Sequence, residues 1–326
     1  MSQIVVTNKK KVRQSHIIPD FYLRKFSSRG KLYVYTKGQP VRSVNVKPGG
    51  RVKECRERDY FEYPVDKDWT ENKVENWLAS IEDKASSIYP AIEDNKQLSS
   101  GDAEIWATFV ASLFLRTQKV RLQLAPAALN KIRPVYEYED IRDYQYRMFK
   151  QGRLIPYERL KEARDKVWDE MATNPAFGHL ISLNHSTPTI AQSILKKAWT
   201  VCEACEGSHF ITSDAPVITL KVLGDNRAFS GYGFGQIDVA IFVPISPTRV
   251  FIAGPANILW HKLQDTNNVA LVNKAIANFA HKYVYSDSNL RETQELIEQE
   301  LGLTKFGDNA FKLTTPKARP GRSTGL

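Results

Sequence analysis

The sequence predicts an α+β fold: a single large domain, helical in its first two thirds, with a mainly antiparallel sheet formed by an N-terminal hairpin and C-terminal strands. Three observations carry this expectation. Apolar residues at helical spacing recur from about Thr70 to Lys197. After Trp199 the chain turns to short β-prone runs separated by turn residues. No internal repeat or interdomain linker interrupts it, so helices and strands are expected to share one core over 15–312, between a basic arm over 1–14 and a disordered basic tail over 313–326.

Taken in order, "SHIIPDFYLRKF" from Ser15 to Phe26 places Phe21, Tyr22, Leu23 and Phe26 where they can anchor the segment and hold His16 at a definite place. "KLYVYTK" and "PVRSVNVK", separated by Gly38-Gln39, alternate apolar and polar residues as a hairpin with one buried face would. "TENKVENWLASIEDKASSIYPAIED" puts Val74, Trp77, Leu78, Ile81 and Ile88 on one helical face.

Ser99, three residues before Asp102, is an N-cap for the next helix, which is apolar nearly all round from Ile105 to Leu115 and is expected to be central. Pro156 opens a helix with Leu160, Ala163, Val167 and Met171 on one stripe, and the tyrosine- and charge-rich "PVYEYEDIRDYQYRMFKQGR" before it reads as a surface helix, or as a partner-binding or oligomerisation segment. "STPTIAQSILKK" suggests a further helix capped by Thr187.

"AWTVCEA", "HFITSD", "PVITLKV", "DVAIFVPIS" and "RVFIAGP" are spaced as an antiparallel meander. The glycines of "SGYGFGQID" do not sit between a strand and a helix N-terminus and so read as a hairpin loop, not a phosphate-binding fingerprint. "NNVALVNKAIANFAHKYVYS" is expected to be a helix running into a short strand, followed by a last helix in "LRETQELIEQELG".

Composition narrows the class. No window approaches the roughly 18 to 20 apolar residues that cross a bilayer, and the N-terminus has no signal-peptide pattern, so a cytoplasmic protein without membrane attachment is expected. Three cysteines do not make a disulfide framework, and Cys202-x-x-Cys205 has no second half to complete a zinc site. From Met1 to Arg58 there are 15 Lys/Arg against 3 Asp/Glu, an excess larger than the net charge of +10 for the whole chain. Such clustering suits a phosphate-bearing partner, or is a solvated basic face.

The candidate site residues are His16, Arg116, Ser213 and Asp214. Arg116 ends a buried helix, where it either snorkels to water or holds an acidic or phosphate group. Asp214 either caps the turn at its strand end or faces a pocket with His16 and Arg116. In the second case the set would supply a proton-transfer group, its orienting carboxylate or a ligand for a divalent metal, and a stabiliser of phosphate charge, with Ser213 contacting the phosphate.

"HIIPDFYLRKF", "FLRT" at Phe114 to Thr117, "FITSDAPV" at Phe210 to Val217, "VPISP" at Val243 to Pro247 and "NKAIANFAHKYVYS" at Asn273 to Ser286 occur in this order. In this the chain resembles the bacterial family catalogued as domain of unknown function 4238. The resemblance implies matching positions at His16, Pro19, Tyr22 and Leu23, at Arg116 and Thr117, at Thr212, Ser213, Asp214 and Pro216, and at Ala280, Tyr285 and Ser286. It implies that these scattered residues belong to one site, and it suggests genes in mobile or phage-defence neighbourhoods. Where many members carry arginine before the last strand, this chain has His281-Lys282.

Two functions of different class follow. One is a phosphodiester hydrolase acting on nucleic acid or a nucleotide, although the paired acidic residues of many metal-dependent nucleases are missing. The alternative is a non-enzymatic binding module whose basic face holds RNA, DNA or an acidic protein, with His16, Arg116 and Asp214 forming a buried polar network.

Overall fold

The computed structural model describes residues 14–47, 52, 54–58, 60–61, 73–124, 141, 143–173, 175–221, 233–256 and 266–304. The basic arm before Gln14, the C-terminal tail and the first three residues of the glycine loop, 230–232, lie outside these residues. The fold is the α+β architecture expected, with its sheets antiparallel. A single apolar core runs from Ile17 to Ile297.

At the N-terminus, strand β1 (Gln14–His16) leads through Pro19 into a short helix α1 (Asp20–Arg24). Tyr22, Leu23 and Phe26 are completely buried, so the apolar anchor fixes the position of His16 as its sequence suggests. β2 (Lys31–Tyr35) and β3 (Arg42–Asn45) form the expected hairpin, with Leu32 opposite Val44. β4 (Arg56–Arg58) turns back to pair with β1, setting Arg56 opposite His16.

Helix α2 (Lys73–Glu93) buries Leu78, Ile81, Ala85, Tyr89 and Ile92. Trp77 is 37% exposed and does not belong to the buried stripe, because it stands about 100° round the helix from Leu78. Helix α3 (Ser100–Leu115) begins as expected: the Ser99 hydroxyl accepts from the Asp102 backbone N–H at 3.1 Å. It is buried almost all round from Trp106 to Leu115. Trp106 meets Tyr89 of α2 and Phe251 edge-on, at 5.5 and 5.6 Å between ring centroids. A π-helical turn (Val120–Leu124) follows.

Helix α4 covers 143–150 and α5 spans Tyr157–Ala172. Helix α6 (Pro175–Leu195), packed along α3, corrects one expectation: it begins well before Thr187, which is not a cap. The proline at 188 lacks an N–H and is carried inside the helix, while the Thr187 hydroxyl donates to the Leu183 carbonyl.

The remaining strands are β5 (Ala198–Glu203), β6 (Thr212–Ser213), β7 (Ile218–Lys221), β8 (Val239–Ser246) and β9 (Arg249–Gly254), followed by helix α7 (Thr266–Phe279), strand β10 (Val284–Ser286) and helix α8 (Arg291–Glu300). The expected five-strand meander is divided. β7, β8 and β9 are consecutive hairpin neighbours and β5 adds to the outer edge of β9, whereas β6 joins the hairpin sheet in the order β3-β2-β10-β6. Side chains draw β6 away: Thr212 hydrogen-bonds Tyr22 at 2.8 Å, and Asp214 binds the segment leading into β10. The C-terminal strands thereby close the N-terminal hairpin. Among the described residues no helix is long and apolar enough to cross a membrane.

Candidate functional site

His16 stands where five elements meet. β1 carries it, α1 carries Asp20, β4 carries Arg56, and the facing sides of α2 and α3 bring Glu82 and Arg116 within electrostatic reach. Asp20 Oδ1 lies 3.4 Å from His16 Nε2. Asp20 is itself held by Arg56 Nη2, at 3.2 Å from Oδ2, and by the Val52 N–H, at 3.2 Å from Oδ1. Burial lowers the His16 pKa below its ordinary value; the neighbouring carboxylates oppose this and the two guanidinium groups reinforce it. The ring is therefore held neutral near pH 7, the form that accepts a proton, and its side chain is still 26% exposed.

Arg116 follows the last residue of α3, and its side chain has no exposed surface. It does not snorkel. Nη1 donates to Glu82 Oε1, while Nε and Nη2 are covered from solvent and have no hydrogen-bond partner among the described residues. These two groups form the side-on edge of the guanidinium, the edge that accepts a carboxylate or phosphate in two parallel hydrogen bonds. His16 Nε2 and Arg56 Nε are buried and unbonded in the same neighbourhood. Buried N–H donors without acceptors are costly. An oxyanion would supply the acceptors that these guanidinium groups lack.

Asp214 and Ser213 are used differently. Asp214 Oδ1 accepts from the His281 N–H at 2.8 Å, and Oδ2 accepts from the Lys282 and Tyr283 N–H groups at 2.7 and 2.9 Å. Burial pushes this carboxyl up, against the backbone donors that pull it down. Because the contacts are to backbone, they do not depend on the side chains of His281 and Lys282. Ser213 Oγ accepts from the Ala215 N–H at 3.1 Å, closing the turn. The carboxylate beside His16 is thus Asp20, and the Thr212-Ser213-Asp214 motif ties β6 to its surroundings.

The two regions nevertheless adjoin. Asp214 acts electrostatically on Cys55, Tyr60, Lys119 and Tyr285, and Cys55 directly precedes Arg56. Lys119 is buried, and its ammonium pKa is lowered to about 8, with Asp214 partly offsetting the desolvation. The CxxC thiols lie elsewhere, Cys202 on β5 and Cys205 in the turn after it. No group of three or more His, Cys, Asp or Glu able to hold a metal occurs among the described residues.

Sequence reasoning missed Asp20, Arg56, Glu82 and Lys119. Glu82 did leave a signal: it falls four residues after Leu78 and three before Ala85, on the buried side of α2, where a carboxylate needs a partner. Arg56 left none, because its pairing with β1 is not encoded by local spacing.

The chain matches the family model described as Protein of unknown function (DUF4238) over residues 14–289, and it belongs to that family. No curated protein matches it, and neither does any solved structure.

Proposed function

We propose that the chain is a phosphodiester hydrolase acting on nucleic acid or a nucleotide, with its reacting phosphate at Arg116 and His16. The observation that supports this is the buried, unbonded Nε/Nη2 edge of Arg116 beside a neutral histidine. Arg116 would neutralise the phosphate oxygens on which charge builds, and Glu82, on its opposite side, would hold the guanidinium in place. Asp20 Oδ1, 3.4 Å from His16 Nε2, would bias the orientation of the imidazole through its charge.

In the reaction, a water oxygen bonds to phosphorus as the bond to the leaving oxygen breaks. His16 takes the proton released by the water and returns it to the leaving oxygen, so charge and protons balance. The basic N-terminal segment supplies attraction for a polyanion. A role in bacterial or phage defence fits such an activity and rests on the resemblance alone.

The test is incubation of the purified protein with labelled RNA, single-stranded DNA and duplex DNA, with magnesium, manganese or chelator, beside the His16→Ala and Arg116→Lys variants. Cleavage lost in both variants, with folding retained, supports the hydrolase. Salt-sensitive binding without cleavage replaces it with the binding module.

A further inference from the structure

Helix α4 presents large apolar groups to solvent: Tyr146 is 58% and Phe149 62% exposed, and Tyr144 is exposed on another side of the helix. Ile141, just before this helix, is buried. Three cations, Arg147, Lys150 and Arg153, are interleaved with these rings, and none is paired with an acidic side chain among the described residues. Lys150 Nζ lies 4.7 Å from the centre of the Tyr146 ring, and Arg147 Nε donates to the Asp143 carbonyl. Tyr146, Phe149 and Lys150, at i, i+3 and i+4, therefore share one face of the helix, with Arg147 at its flank.

A surface of this kind matches a particular partner. Single-stranded nucleic acid offers unpaired bases to stack on aromatic faces and a phosphate beside each base for a cation. Duplex DNA hides its base faces. A second copy of the chain, docked by a two-fold axis, would bring the same three cations against each other.

We propose that the surface of α4 and the turn after it is a docking platform for single-stranded nucleic acid, with Tyr146 and Phe149 stacking on bases and Arg147, Lys150 and Arg153 contacting phosphates. This deepens the function proposed above and rests on its nucleic-acid substrate, but it is read by binding and not by cleavage.

The experiment is fluorescence anisotropy of labelled single-stranded and duplex oligonucleotides with the full chain, in chelator, over a range of salt. Single strands are expected to bind more tightly than duplex. A Tyr146→Ala/Phe149→Ala variant should bind them at least about tenfold more weakly. Arg147→Gln/Lys150→Gln should reduce the slope of log affinity against log salt by roughly 0.7 per charge removed. Circular dichroism confirms that both variants fold, and either one alone suffices to read the platform. Absence of binding, equal affinity for duplex, or unchanged affinity in a folded variant overturns the inference, as does sedimentation showing a dimer that the aromatic variant dissociates. Cleavage lost in His16→Ala bears on the catalytic proposal alone.

Discussion

Arg116 at the end of α3 donates through Nη1 to Glu82 of α2, so a guanidinium with no exposed surface is neutralised by a carboxylate that is 22% exposed. The two residues differ in what their loss leaves behind. Glu82→Ala strands a buried cation and should cost about 3 kcal/mol, whereas Arg116→Met leaves a carboxylate that water can reach and should cost less. Urea unfolding of both variants decides the order, and a cheaper Glu82→Ala would contradict this account of the pair.

The carboxylate of Asp214 gathers three consecutive backbone N–H groups. Asp214→Asn keeps one acceptor oxygen and turns an amide N–H₂ toward backbone donors, so it should destabilise the fold by about 3 kcal/mol or more. Ser213→Ala, which removes one neutral hydrogen bond to Ala215, should cost about 1 kcal/mol. Comparable small losses in both would show that Asp214 is not the tie between β6 and β10.

Tyr22 donates to the Pro244 carbonyl at 2.6 Å, so the hydrogen between it and Thr212 belongs to the threonine hydroxyl. Tyr22→Phe leaves that carbonyl without its phenolic donor and is expected to cost about 1 to 3 kcal/mol. Thr212→Val and the double variant complete a cycle, whose coupling should exceed about 0.5 kcal/mol. Additive losses would mean that the two hydroxyls do not act together.

His179 is buried with its Nε2 2.8 Å from the Leu115 carbonyl, and desolvation pushes its pKa down to about 3. A histidine with a lowered folded pKa contributes stability that is complete above the unfolded value near 6.5 and is lost as pH falls toward 3. Over that window the loss has an upper limit of roughly 4 to 5 kcal/mol. A His179→Gln variant should show a flatter stability profile between pH 7 and 4 when unfolded with urea; parallel profiles would remove His179 as the cause.

Much of the architecture was legible where local chemistry sets it. The Ser99 cap, the hairpin of β2 and β3 and the passage from α7 into β10 all follow from residues close in sequence. What escaped depends on distant partners. β6 looks like a meander strand until Tyr22 and the 281–283 segment claim its neighbours, and Thr187-Pro188 looks like a helix start until α3 supplies a surface on which the helix can continue.

At the site the same division holds. His16 was recognisable by its anchored position and Arg116 by its place at the end of an apolar helix. Asp20 and Arg56 were not, because His16 acquires them only when β4 folds back on β1.

The measurement closest to the central claim is an NMR titration of the His16 imidazole with and without inorganic phosphate, in the wild type and in Arg116→Lys. An oxyanion seated on the guanidinium edge favours the imidazolium, so phosphate should raise the His16 pKa in the wild type and much less in the variant. A His16 titration unchanged by phosphate in the wild type would contradict an oxyanion site at Arg116.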